Sequence, residues 1–180
     1  LLLPITVSQA MATNSDYQEF IRSGENEAEH GKVADYLTQV RDEFNSITAF
    51  YVSARTGQYF TPDGLFKTLS QDSDKDQWFY GFMRSGQQYE LSLDIDEASQ
   101  IPTLFINYLM KVDGSPSAVA GVGLSLENMS QSIRQYRIGE QGHIFLADAK
   151  GVIKLHPDTK YIGKSIASLG VEDVGALLTK

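Results

Sequence analysis

The chain has 180 residues, of which 42% are hydrophobic and 11% aromatic, so it can bury a sizeable core in one domain or two small ones. Its net charge of −8 and scattered basic residues argue against nucleic-acid binding, because an acidic surface repels phosphate backbones. The absence of cysteine excludes disulfides and thiolate chemistry, and no apolar run approaches the roughly 20 residues of a membrane span.

The first quarter of the chain has a helical pattern. Apolar residues recur at spacings of three and four between Ser15 and Phe44, which predicts an amphipathic helix that can bend or break at Ser23-Gly24. After Ser46 the period changes. The β-branched and aromatic stretch from Ile47, followed by a turn ending at Gly57, predicts a β-hairpin.

A dense aromatic run, Asp76–Phe82, contains the single Trp and falls in a segment, 65–82, predicted as loop and short helix. Three strands are predicted after it. Tyr89–Asp96 alternates apolar and polar residues, Thr103–Val112 is longer and more apolar, and a tight turn leads into Ala118–Leu124. The short connection predicts antiparallel pairing of the last two strands. A helix is predicted from near residue 125.

The end of the chain repeats an earlier pattern. Residues 144–153 align on residues 50–59, with Gly151 matching Gly57, and each stretch follows a helix. This predicts an internal repeat of a helix-then-hairpin unit. The first copy extends to Leu124 before its sheet is complete, whereas the chain ends at Lys180. We therefore expect the second unit to be incomplete, and the chain to be a fragment of a longer protein.

The order of these elements, with the Asp76-x-Trp78-Phe79-Tyr80 run and the stretch from Gly142 to Gly151, resembles a double Cache (PDC-like) sensor domain. Such domains are extracytoplasmic modules of bacterial histidine kinases, diguanylate cyclases and chemoreceptors. The resemblance covers nearly the whole chain. It implies an α+β fold in which a long N-terminal helix packs on a PAS-like antiparallel sheet, followed by the start of a second similar module. The implied divisions are a helical region (1–45), a membrane-distal module (46–126), a linking helix (127–142) and a partial membrane-proximal module (143–180).

The function that the resemblance implies is small-molecule sensing in the periplasm by part of a bacterial inner-membrane protein. The distal module would bind the ligand, and helices would pass the signal to a cytoplasmic kinase, cyclase or chemotaxis domain. A homodimer through the N-terminal helix is also implied, with the membrane met only through flanking segments. The residues form no catalytic constellation, phosphate loop or metal cluster, so no enzyme activity, cofactor or metal is expected in this chain. The alternative is an interaction module that senses a partner protein and fills its own pocket.

Five residues are candidate ligand contacts. Trp78 and Tyr80 alternate in the aromatic run, and Tyr51 lies centrally in the first strand. Asp94 binds a ligand only if its sheet face is the one covered by the aromatic run; otherwise it belongs to a solvated face. Asn107 interrupts an apolar strand, so a loop backbone or a ligand must satisfy its amide.

In the amino-acid-sensing branch of the resembling domains, an Arg two residues before the Trp holds the ligand carboxylate. Asp76 occupies that position here, which reverses the charge. The Asp that binds a ligand ammonium in that branch is matched by Asp94 or Asp96. The resemblance therefore favours a cationic, amine-bearing or polar neutral ligand over an anion.

Overall fold

The structure, a computed structural model, describes residues 2–134, 137–138, 142–143, 145–147 and 151–170. Its contacts divide the chain into two compact units. The first contains residues 2–98 and 103–124, and the second contains residues 99–102 and the described residues from 125 onward. Within the described ranges, no helix combines the length and apolar character needed to cross a membrane.

The first unit begins with three helices: α1 (Leu2–Ala12), α2 (Ser15–Arg22) and α3 (His30–Glu43). Helix α1 was not predicted. Asn14 begins α2, because its side-chain oxygen accepts hydrogen bonds from two backbone N–H groups of the first turn. The predicted helix of residues 15–44 is split. Gly24 and Glu25 have φ angles of 100° and 58°, so the α2 helix cannot continue through them.

Six strands form one antiparallel sheet in the order β3-β2-β1-β6-β5-β4. Their bounds are β1 (Thr48–Ser53), β2 (Gln58–Thr61), β3 (Gly64–Thr68), β4 (Tyr89–Ile95), β5 (Pro102–Val112) and β6 (Ser115–Ser125). The predicted α+β class is confirmed, with helices and an antiparallel sheet in one unit. Strand β3 corrects the prediction of a loop there. It pairs with β2 through a turn that ends at Gly64, whose φ is 104°.

The sheet is packed on both faces. On one face, the three N-terminal helices cover a cluster that includes Tyr51, Phe60 and Ile106. On the other face, helix α4 (Gln77–Ser85) contributes to a second cluster that includes Phe50 and Leu109. Successive side chains of a strand point to opposite faces. Phe50 and Tyr51, adjacent in β1, therefore belong to different clusters.

Three buried tyrosines make the stability of this unit sensitive to alkaline pH. Burial, the largest cause, raises the pKa of Tyr17, Tyr51 and Tyr59 well above the ordinary 10.0. Above about pH 10 the unfolded chain loses phenolic protons that the folded chain retains, so the free energy of unfolding falls as pH rises. We expect the Tm from calorimetry to fall steadily above about pH 10. A Tm that is constant or rises there would contradict this assignment.

The second unit begins with α5 (Leu126–Arg134), close to the predicted start near residue 125. It continues with two antiparallel pairs, β7 (Arg137–Ile138) with β8 (Gly142–His143) and β9 (Leu146–Ala147) with β10 (Ile153–Leu155). Ile144 and residues 148–150 of the aligned repeat lie outside the described residues. Of the two matched turn glycines, Gly57 has a φ of 69° and Gly151 a φ of 75°.

Candidate functional site

The aromatic run that carries Trp78 is the helix α4 rather than a loop. Phe79 and Phe82, three residues apart, share one helix face and are 2% and 1% exposed where they pack on the sheet. Trp78 lies beside that face, with its ring centroid 6.1 Å from that of Phe50. Tyr80 is two residues further, or about 200° around the helix. The pairing of Trp78 with Tyr80 was based on alternation, which does not apply to a helix.

Beside α4 the sheet face bears a cavity of about 210 Å³, which we call the α4–β4 cavity. Its floor and walls come from five strands, β1 to β5, from α4 and the residue Lys75 before it, and from the segment that follows β4. The lining residues are Phe50, Tyr59, Thr61, Phe66, Lys75, Trp78, residues 92–98, Phe105 and Asn107. A cavity of this volume suits a small metabolite.

Strand β4 turns its polar side chains toward this cavity. The Asn107 amide donates hydrogen bonds to Ser92 Oγ at 3.3 Å and Glu90 Oε1 at 3.5 Å, so these residues share one face of the sheet. Asp94 and Asn107 both line the cavity. Of the apolar residues that alternate with them, Leu91 is exposed and lies outside the lining, whereas Leu93 and Ile95 also belong to the lining. Asp94 therefore lies on the sheet face beside the aromatic run, which is the condition under which it is a candidate ligand contact.

Of the five candidate residues, three line the α4–β4 cavity: Trp78, Asp94 and Asn107. Tyr80 is half-buried and packs beside Phe79 at a centroid distance of 5.3 Å, outside the lining. Tyr51 is fully buried in the cluster under the N-terminal helices. The expectation that its phenol reaches the same cavity is corrected, because side chains alternate along β1 and Phe50 takes the cavity side.

The Tyr51 hydroxyl instead donates a hydrogen bond to Glu25 Oε1 at 3.0 Å. Glu25 lies in the turn between α2 and α3, and its side chain is 1% exposed. Its second carboxylate oxygen makes no hydrogen bond but lies 3.3 Å from the Arg55 guanidinium. Tyr51 therefore connects the sheet to this turn and has a structural role.

Asp76 does not line the cavity, because its carboxylate is held by hydrogen bonds outside the lining. Its carboxylate accepts hydrogen bonds from Lys67 Nζ at 2.7 Å and from the Ser70 backbone N–H at 2.9 Å. Burial by itself would raise the pKa of Asp76, but these two donors lower it below its usual range. Asp76 thus sits as a partnered anion immediately before α4, and Lys67 is occupied by it.

The charged groups that line the cavity are mainly acidic. Asp94, Asp96 and Glu97 supply three carboxylates, and Lys75 is the one basic side chain in the described lining. Burial, and then the charges of Asp96 and Glu97, raise the pKa of Tyr59, so its phenol stays protonated at neutral pH. The site can hold a protonated amine between carboxylates and aromatic rings.

Several lining residues were missed by sequence reasoning. Phe50 and Tyr59 come from the two strands of one hairpin and Phe105 from a strand much later in the chain, and the three meet only when the sheet forms. Glu97 follows β4 in a stretch with no regular pattern. The signal for Phe50 and Phe105 was strand alternation, which identifies residues that share a face but not the face that carries a cavity.

Known proteins provide a comparison for this geometry. No protein-family model matches the chain. A curated relative, the methyl-accepting chemotaxis protein PscA of Pseudomonas syringae pv. tomato, is 35% identical over 57 residues, which are 32% of this chain and 9% of that protein. The aligned part is therefore a small share of the relative's length.

Solved structures with a similar fold include ligand-binding domains of chemoreceptors. The domain of Pseudomonas fluorescens CtaA in complex with L-isoleucine has a TM-score of 0.66 and 22% identity, over 92% of this chain and 64% of that one. The ligand-binding domain of Pseudomonas aeruginosa PctB in complex with L-Gln has a TM-score of 0.63 and 21% identity, over 93% of this chain and 63% of that one. The ligand-binding domain of Pseudomonas aeruginosa PctC in complex with GABA has a TM-score of 0.62 and 17% identity, over 95% of this chain and 73% of that one.

The chain thus spans less than two thirds of the PctB structure with L-Gln and of the CtaA structure with L-isoleucine. At these identities the likeness concerns the fold. It confirms, at that level, the resemblance drawn from the order of elements and the aromatic run. The chain has the fold of the Cache-type ligand-binding domains of bacterial amino-acid chemoreceptors.

Proposed function

We propose that the first unit is an extracytoplasmic sensor that binds a small molecule in the α4–β4 cavity. The observation that carries the proposal is the cavity itself, which combines aromatic walls at Trp78 and Tyr59 with polar groups at Asp94 and Asn107. Its position on the sheet beside α4 suits a ligand-binding domain. The solved domains of the same fold contain amino acids or GABA.

The proposed ligand carries a protonated amine. Lys67 offsets Glu97, but Asp94 and Asp96 against Lys75 still leave the lining with a negative balance that attracts a cation, and the Trp78 ring can add a cation–π contact. Asp76 stands where a carboxylate-holding Arg is expected in the resembling domains, so a ligand carboxylate finds no guanidinium there. Lys75, on the cavity wall, is the basic group available to an anionic end of the ligand.

The signalling part of the proposal follows the resemblance. The first unit corresponds to the membrane-distal module, and the second to the start of a membrane-proximal module of a bacterial inner-membrane receptor. Ligand binding would favour one arrangement of the modules, by the ligand's differential affinity for the two states. Helices would pass this change to a cytoplasmic output domain. Homodimerisation through the N-terminal helices belongs to the same proposal, and light scattering of the purified chain measures it.

Calorimetric titration tests the ligand class. The purified chain is titrated with L-amino acids, γ-aminobutyrate, amines that lack a carboxylate, and carboxylates that lack an amine. For an amine that binds, we expect Asp94→Asn to weaken the affinity at least about tenfold, or about 1.4 kcal/mol, because one carboxylate at the site is neutralised.

Asp35→Asn is the matched control. It makes the same chemical change on an exposed position of α3, outside the cavity lining, so the affinity should stay at the wild-type value. Binding of a carboxylate without an amine would contradict the proposed ligand class. Equal affinities for wild type and Asp94→Asn would remove Asp94 from the site.

A second candidate function is recognition of a partner protein. Strand β4 is an edge of the sheet, and its residues Tyr89 and Leu91, which lie outside the cavity lining, are 45% and 42% exposed. An exposed apolar edge suits a protein contact. A blank titration for every small molecule, together with a cooperative melt, would favour this function over ligand sensing.

A further inference from the structure

The two edge strands of the sheet are connected by one lysine. Strands β3 and β4 lie at opposite ends of the strand order. Yet Lys67, in β3, contacts Glu97, which follows β4 by two residues, with 2.6 Å between Nζ and Oε1. The segment after β4 must therefore reach across the sheet face toward the other edge. We call residues 94–98 the strap; it consists of the last two residues of β4 and the three residues that follow.

The strap forms one side of the α4–β4 cavity. All five of its residues line the cavity, as does Trp78 on the α4 side. The strap is continuous with β4 at one end and is held near its other end by the Lys67–Glu97 contact. The latter reaches from the far edge of the sheet.

Lys67 also holds the opposite wall. The same Nζ lies 2.7 Å from Asp76 Oδ1, immediately before α4 and two residues before Trp78. The side chains of Lys67, Asp76 and Glu97 are 22%, 5% and 33% exposed. Ion pairs shielded in this way are less screened by solvent and salt than exposed ones. One ammonium thus connects the strap with the start of α4.

We propose that Lys67 is a positioning residue that holds the strap closed over the α4–β4 cavity. Ligand entry and release then require the Lys67–Glu97 contact to open. The contact sets how long a ligand stays, while the cavity lining sets what binds. This inference rests on the proposed function for its ligand consequence, but the closed strap itself is a property of the ligand-free protein.

Hydrogen–deuterium exchange on the ligand-free chain tests the strap directly. We expect Glu97→Gln to raise the exchange rate of the strap amides at least about tenfold, because the neutral amide holds the ammonium less strongly than a carboxylate. The Lys67–Asp76 contact is retained in this variant, so exchange in β1 and β6 should match wild type. Lys67→Met should produce the same faster exchange in the strap.

Lys32→Met is the matched control. Lys32 is 80% exposed and pairs with Glu29 at 3.6 Å on the helix side of the sheet, so strap exchange should not change. If strap exchange in Glu97→Gln equals wild type, the proposal is wrong. If only Lys67→Met speeds exchange, the effect comes from Asp76 and the proposal is also wrong.

For an amine that binds in calorimetry, stopped-flow measurement should show faster dissociation from Lys67→Met, whose side chain lies outside the cavity lining, with a smaller change in the association rate. If strap amides exchange faster in Glu97→Gln and Lys67→Met but no small molecule binds, the result supports the role of Lys67 in holding the strap and rejects the proposed ligand-sensing function. The two proposals can therefore fail separately.

Discussion

Gly121→Ala is expected to abolish cooperative folding of the first unit. Gly121 lies in β6, paired with Phe50 of β1, on the face that carries the α4–β4 cavity. A Cβ atom there would lie 1.9 Å from the Ile106 backbone oxygen and 2.9 Å from Cζ of Phe50. The backbone oxygen belongs to the neighbouring strand and cannot move without breaking the sheet. We expect a loss of at least about 3 kcal/mol in the free energy of unfolding.

Thermal melts followed by circular dichroism measure this effect. Gly31→Ala is the control, because a Cβ at Gly31 meets nothing within 4 Å and the residue lies in helix α3. It should leave stability unchanged or raise it by up to about 1 kcal/mol, the difference in helix propensity. A Gly121→Ala variant that melts like wild type would mean that the β5–β6 pairing is looser than the structure indicates.

Glu25→Ala is expected to destabilise the chain by about 2–3 kcal/mol. The change removes the acceptor of the buried Tyr51 hydroxyl and the partner of the Arg55 guanidinium. A buried hydroxyl without an acceptor keeps its full desolvation cost. Alanine also keeps the strained left-handed backbone of this position, where φ is 58°, without the contacts that offset the strain.

Glu25→Gln separates the hydrogen bond from the charge. Its side-chain oxygen can still accept from Tyr51, so it should cost less than the alanine variant, with the remainder due to Arg55. Denaturant unfolding of Glu25→Ala, of Tyr51→Phe and of the double variant gives the coupling in a double-mutant cycle, and Glu25→Gln is measured beside them. Equal stabilities for Glu25→Ala and Glu25→Gln would show that the Tyr51 hydrogen bond contributes nothing measurable.

The Gly121 and Glu25 predictions concern the packed sheet and helices, whereas the ligand proposals concern side chains at the cavity. Asp94 is exposed at the cavity, and its neutralisation should alter affinity while leaving the melt unchanged. Glu97 is partly exposed, and its substitution should alter strap opening. Such separation is expected where binding groups lie at strand ends and loops on a packed sheet.

The secondary structure was largely predictable where the pattern was long and regular. Strands β5 and β6 were expected because two apolar runs flank a tight turn, and β1 and β2 because β-branched and aromatic residues surround Gly57. A short helix was predicted within residues 65–82, but α4 was not located there, because a nine-residue aromatic segment suits several conformations. Strand β3 was missed because an edge strand, with Leu65 46% exposed, carries no buried pattern.

The candidate site residues were also predicted only in part. Trp78, Asp94 and Asn107 were predicted from residue type and from alternation within single elements, and each lines the cavity. Tyr51 was chosen for its central place in the first strand and Tyr80 for its alternation with Trp78, and neither lines the cavity. The facing direction of a side chain depends on register and on helix phase, and a shift of one residue reverses it in a strand.

Local sequence was enough to establish the α+β class, the order of most strands along the chain and the aromatic and acidic residues available to a site. Those features depend on interactions between near neighbours, which periodicity and turn residues report. Only the tertiary structure decided that the polar face of β4 meets α4, that Asp76 is bound by Lys67, and that Glu97 reaches the opposite edge of the sheet. Contacts of this kind join residues far apart in the chain, and they depend on how the strands are ordered and how the sheet is covered.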